Sequence, residues 1–137
     1  MDNQTLNDLA TKTIGCALTA HRPPGPGLLE SAYRECLCNE LRVAGLWVQK
    51  EKALPLVYQE VRIECGYRVD LVVEGKLFLD VKSVDALNDI HLAQVLTYLK
   101  FSQCTPGLLI NFNVVLLSGL ATYTKDITHP LQPLQRN

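Results

Sequence analysis

Residues 67–82, YRVDLVVEGKLFLDVK, decide how this chain reads. Two apolar runs rich in Val, Leu and Phe flank the turn-forming Glu74-Gly75-Lys76, which is the pattern of a β-hairpin. Three charges interrupt strands that should be buried: Asp70 in the first, Asp80 and Lys82 in the second. Aspartate is a poor strand former, and a buried carboxylate without a partner is costly, so the two aspartates need a reason.

Side chains alternate along a strand, which puts Asp80 and Lys82 on one face and Leu77, Leu79 and Val81 on the other. The face taken by Asp70 depends on the turn. A two-residue turn at Glu74-Gly75 pairs Val73 with Lys76 and leaves the aspartates on opposite faces. A three-residue loop of Glu74, Gly75 and Lys76 pairs Val73 with Leu77 and sets Asp70 across from Asp80. In that second register the carboxylates stand roughly 5 Å apart at Cβ and repel unless something positive lies between them. A divalent cation suits the gap. Oxygen ligands favour Mg²⁺ or Mn²⁺, and Mg²⁺ takes one or two protein carboxylates and completes its shell with water and phosphate. Lys82, one pleat beyond Asp80, is placed to hold a water or a phosphoryl oxygen.

With these residues in view, the chain resembles the PD-(D/E)XK nuclease superfamily: Asp70 followed by Asp80-Val81-Lys82 matches its signature, with Asp where Glu is more usual. It resembles more narrowly the group called GxxExxY proteins, through Gly27-Leu28-Leu29-Glu30-Ser31-Ala32-Tyr33. Cys65-Gly66-Tyr67-Arg68, Gln94 with Tyr98, and Gly107-Leu108-Leu109-Ile110-Asn111-Phe112 match the same group. The likeness covers roughly residues 6–117 in order and spacing.

The resemblance implies an α/β, restriction-endonuclease-like core, a central mixed β-sheet flanked by α-helices, within one domain over residues 1–125. It implies a metal-dependent nuclease that hydrolyses phosphodiester bonds, with DNA as the expected nucleic acid. Asp70 and Asp80 would hold Mg²⁺ or Mn²⁺, joined by the Val81 peptide carbonyl and by Glu30. Lys82 would orient or help deprotonate the attacking water. Gln94 would orient substrate or the lysine, and Tyr98 would support a phosphate or base.

The remaining readings come from the residues in chain order. Residues 5–20 and 28–44 have helical spacing, the second closed by Gly45; between them Arg22-Pro23-Pro24-Gly25-Pro26-Gly27 forms a connector. Glu30 lies on the line Glu30, Tyr33, Leu37, Leu41, so by spacing its carboxylate either faces inward or is a helix-start glutamate favoured by the dipole, and the resemblance favours the inward reading, with Tyr33 bonding it, packing, or touching substrate. Residues 46–58 read as extended, with Lys50, Glu51 and Lys52 as a solvated strand face and Gln59-Glu60 as a turn. Arg68 shares a face with Asp70 and would neutralise the aspartates, contact a phosphate, or form a plain surface salt bridge. A third helix is expected from Asn88 or Asp89 to about residue 101, then a buried strand over residues 107–112, a further strand within 114–124, and a tail over 126–137.

Composition sets the limits. The 137 residues, 47% hydrophobic and 20% charged, suit one domain with a single core, and the longest apolar stretch is broken by Asn111, Asn113 and Ser118, which argues against a membrane span. Residues 1–10 lack the basic-then-apolar order of a signal peptide. With an odd count of five cysteines this fits a cytoplasmic protein with reduced thiols. Cys36 and Cys38, two apart on a helix, point about 200° apart and chelate poorly, so buried cysteines are favoured over an iron–sulfur cluster. A net charge of −1 gives no broad attraction to nucleic acid. That charge, the Asp at position 80, and Ala121-Thr122-Tyr123-Thr124 where the group usually carries a basic residue leave open an inactive nuclease-fold module that binds nucleic acid or protein. A third reading is a salt-bridge cluster in which Lys82 neutralises both aspartates. A domain this small is compatible with a homodimer or a larger partner protein.

Overall fold

Helical periodicity near the N-terminus produces α1 (Asn3–His21) and α2 (Glu30–Val43) in the computed structural model, which describes residues 3–53, 56–63, 68–86, 88–91, 93–94, 107–113 and 121–123. The second helix begins two residues later than its spacing predicts. It ends as its glycine requires: Gly45, at φ +85°, donates its N–H to the Arg42 carbonyl, and Leu46 donates to Leu41. This pair of bonds satisfies carbonyls that the last turn would otherwise leave open.

Seven strands follow among the described residues: β1 (Val48–Ala53), β2 (Leu56–Tyr58), β3 (Val61–Ile63), β4 (Arg68–Val73), β5 (Leu77–Lys82), β6 (Gly107–Asn111) and β7 (Ala121–Tyr123). Five form a mixed sheet in the order β1-β4-β5-β6-β7; β2 and β3 form a separate hairpin. Among the described strands only β5 and β6 are parallel, Phe78 to Lys82 aligning with Gly107 to Asn111. The continuous apolar run of β6 is buried at every position, as expected of a strand with neighbours on both edges. Gln59 and Glu60 make the β2–β3 turn with φ of +47° and +70°, a left-handed pair that residues with a Cβ adopt at a cost.

One face of the sheet carries the main core. Leu71, Val73, Leu77, Leu79, Val81, Leu108 and Ile110 pack with Leu9, Ile14 and Ala17 of α1 and Tyr33, Leu37, Cys38 and Leu41 of α2. Val69, Val72 and Phe78 form a smaller cluster of their own. Strand alternation therefore directs Asp80 and Lys82 away from the helix-packed face, as their spacing predicts.

Three asparagines organise the loops. Asn88 accepts the N–H groups of Ile90 and His91 at 2.9 and 3.1 Å and starts the expected third helix, of which residues 89–91 and 93–94 are described. Asn111 accepts from Val84 N–H and donates to the Val84 carbonyl, tying the end of β6 to the segment after β5. Asn113 accepts the Gly27 N–H, and Ser83 donates to the Leu28 carbonyl, so the Pro/Gly connector is fastened beside the ends of β5 and β6. No helix among the described residues is long and apolar enough to cross a membrane.

Candidate active site

The hairpin turn combines both geometries open to it. Glu74 and Gly75 have φ of +54° and +65°, and Lys76 N–H donates to the Val73 carbonyl at 3.0 Å, closing a tight left-handed turn. Lys76 is then an extra residue, and pairing resumes as Val73 with Leu77, Val72 with Phe78 and Leu71 with Leu79. Glu74 is held in its conformation by Trp47: its N–H donates to the Trp47 carbonyl at 2.8 Å, and its carboxylate accepts the Trp47 N–H at 2.7 Å.

This register sets Asp70 opposite Asp80. Main-chain pairing stops one step short of them, and the Asp70 carboxylate instead accepts the Val81 N–H at 2.7 Å. The two strands are thus parted at the aspartates and joined there through a side chain. Asp80 is 6% exposed, and Lys82 Nζ lies 3.4 Å from its Oδ1.

The electrostatics follow from this crowding. Burial pushes the Asp70 carboxyl up from 3.8; the Val81 N–H pulls it down; the charge of Asp80 and a hydrogen bond with it push up again; Lys82 opposes them, and the result is about 6. Asp70 therefore keeps its proton into mildly acidic solution and ionises beside Asp80 only as neutral pH is approached.

Two charged residues that the sequence reading left out complete the cluster. Arg34 of α2 reaches down so that Nη1 stands 3.3 Å from Glu51 Oε1 and 3.8 Å from Asp70 Oδ1. Glu51 falls opposite Asp70 on β1, between the pairs Lys50–Leu71 and Lys52–Val69, and its φ is +48°. The signal for Arg34 was a cation beside a buried tyrosine on the sheet-facing side of a helix. For Glu51 it was the β1–β4 register, which a reading of β1 as a solvated face did not use.

The expected site residues are distributed as follows. Asp70, Asp80, Val81 and Lys82 come together at the end of the hairpin. Glu30 does not face inward: it is exposed, because α2 starts at this residue and its buried stripe begins one turn later at Tyr33. Tyr33 is wholly buried. Its hydroxyl donates to the Gly25 carbonyl and accepts the Leu28 N–H at 3.1 Å, and its ring stacks on Phe112 at 4.9 Å, with His21 alongside. It therefore packs and closes the connector, and offers neither Glu30 nor a substrate a surface. Arg68 opens β4 and is exposed, as is Gln94. Tyr98 lies outside the described residues. Cys16, Cys36 and Cys38 are free thiols; Cys65 and Cys104 fall outside the described residues.

The donor set can be tested against a metal ion. Among the described residues no group of three or more His, Cys, Asp and Glu side chains is arranged to hold one. Two apposed carboxylates remain, with oxygen donors only, and burial together with the facing Asp80 raises Asp70. That matches a hard divalent cation content with one or two protein carboxylates. It does not match zinc or an iron–sulfur cluster, which favour nitrogen or sulfur.

A mixed sheet whose central hairpin ends in two apposed aspartates and a lysine, packed against helices, defines a restriction-endonuclease-like domain. A sequence model of the PD-(D/E)XK nuclease superfamily matches residues 7–122, and the chain belongs to that superfamily. Its members generally use divalent metals, and nucleic acid is their substrate class. No curated protein and no solved structure gives a significant match.

Proposed function

We propose that the protein is a metal-dependent deoxyribonuclease of the GxxExxY type. The observation that carries this reading is the apposition of Asp70 and Asp80, with the Asp70 carboxyl pushed up to about 6 and Lys82 beside them on the same strand. Burying two like charges side by side destabilises a fold, and a site for a cation gives that arrangement a use.

Asp70 and Asp80 would hold Mg²⁺ or Mn²⁺, with the Val81 carbonyl as a further oxygen donor by resemblance; Glu30, exposed at the start of α2, is not among them. When bound, the ion supplies Lewis-acid polarisation of the phosphate and a more acidic water. Lys82 orients the attacking water and offsets charge growing on the phosphate oxygens, an electrostatic contribution. Arg68 and Gln94, both exposed, are available to touch the nucleic acid, and Tyr98 is assigned to the phosphate or base by resemblance alone. The thiols of Cys16, Cys36 and Cys38 accord with a cytoplasmic setting.

A second reading has one observation in its favour. Lys82 lies on Asp80 and Arg34 near Asp70, so the cluster is partly neutralised by its own cations, as suits an inactive binding module. Cleavage of labelled single-stranded, duplex and branched DNA, and of RNA, with Mg²⁺ or Mn²⁺ separates the two. Under the nuclease reading Lys82→Met lowers the rate by roughly 10²-fold or more while Mn²⁺ still binds, and Asp80→Ala loses both. Wild-type protein that binds nucleic acid and cleaves none of these substrates with either ion points to the module.

A further inference from the structure

We infer that Arg34, held by Glu51, is a positioning residue that occupies the cationic flank of Asp70 and thereby sets how tightly the aspartate pair takes a divalent ion. The inference rests on the metal-dependent reading above and adds to it a control that neither the signature nor the expected ligands contain.

Three observations carry it. Arg34 is mostly buried, with its side chain 20% exposed, yet it is loosely bonded: its contacts to Glu51, Asp70 and Glu35 are 3.3, 3.8 and 3.8 Å, and its Nε has no hydrogen-bond partner. A structural arginine in such a place normally uses its fork of donors in short, paired bonds to a carboxylate. Glu51 supplies the nearest anion, and does so from a left-handed backbone in mid-strand that a residue with a Cβ adopts only under constraint. Glu35 is less able to draw Arg34 away, because Lys50 Nζ holds it at 2.8 Å.

The guanidinium is thus suspended between Glu51 and Asp70, nearer to Glu51. A divalent ion arriving at Asp70 meets that positive charge at close range, and binds to the extent that Arg34 withdraws toward Glu51. Tyr33, fully buried next to it in sequence, fixes the helix from which Arg34 reaches, so withdrawal is a matter of side-chain rotation. Two substitutions then act in opposite directions. Arg34→Gln removes the competing charge and should tighten the ion. Glu51→Gln removes the anion that draws Arg34 aside, leaves Arg34 to Asp70, and should loosen it.

The experiment is calorimetric titration of the intact chain with Mn²⁺, in the absence of nucleic acid, for wild type, Arg34→Gln, Arg34→Lys, Glu51→Gln, the Arg34→Gln/Glu51→Gln double variant and Asp70→Asn. We expect Arg34→Gln to bind roughly tenfold tighter, Glu51→Gln a few-fold weaker, Arg34→Lys close to wild type, and the double variant like Arg34→Gln, by Coulomb interaction at short range. An Arg34→Gln affinity that is unchanged or weaker, or movement of both single variants in one direction, overturns the inference. Should Arg34→Gln not fold, Glu51→Gln binding as tightly as wild type overturns it alone. Asp70→Asn separates the underlying reading: Mn²⁺ binding that survives it, or that wild type lacks, refutes the metal site itself.

Discussion

Asparagine at position 70 should make the protein more stable at neutral pH and leave it unchanged in acid. Asp70 has an ordinary value of 3.8 and stands at about 6 in the folded chain, first because it is buried and then because Asp80 faces it. Below about pH 4 the group is protonated folded and unfolded, and carries no penalty. Between 4 and 6 the folded state keeps a proton that the unfolded state releases, so stability falls as pH rises, and above 6 the penalty is complete. A rise of about two in pKa corresponds to ~3 kcal/mol. The side chain is 24% exposed, which allows solvent to relieve part of this, so about 2 kcal/mol is the expected gain. Asparagine keeps an oxygen for the Val81 N–H, held at 2.7 Å, and drops the charge beside Asp80. Urea unfolding of both proteins at pH 4, 5, 6 and 7.5 with a chelator present measures the difference directly. At pH 7.5 the melting temperature should rise by roughly 8 °C, at about 4 °C per kcal/mol for a chain of this size. Destabilisation at pH 7.5, or a gain that is the same at pH 4, would refute the reasoning.

Tyr33→Phe keeps the stacked ring but strips the hydroxyl from the Gly25 carbonyl and the Leu28 N–H, and should cost about 1–3 kcal/mol in the same unfolding assay. Gln59→Asn with Glu60→Gly replaces two residues at φ of +47° and +70° with a pair that accepts this turn, and should raise stability by about 1 kcal/mol in thermal melts.

Much of this fold can be read from residue order. The alternation of residues 77–82 assigns Asp80 and Lys82 to one face and Leu77, Leu79 and Val81 to the other, and the structure divides them so. The apolar run ending in Asn111 gives a buried interior strand, and Gly45 stops α2. Glu30 was misplaced because helical spacing assigns a direction but not a neighbour: at the first turn of α2 nothing is packed against that direction. Arg34 and Glu51 escaped for a related reason. Their significance lies in a meeting of α2, β1 and β4, fixed by the register of Val48 on Val73 and by a left-handed backbone at a residue type with no preference for it.

That meeting explains how the fold tolerates its aspartates. From β1 through α2 to β5 the charges alternate: Glu51, Arg34, Asp70, then Asp80 with Lys82. The step from Asp70 to Asp80 sets like charge against like, and there the Val81 N–H, bonded to Asp70, moderates the repulsion. Each flanking cation lies at 3.4 Å or more from its aspartate, too far for the short bonds that would lock a purely structural cluster, and close enough to offset the charge. A tighter cage would stabilise the fold and exclude a metal ion; a missing one would leave two buried anions that the strands do not hold. The observed spacing lies between these two extremes. It also leaves the junction between the aspartates as the place where one added cation relieves the most repulsion.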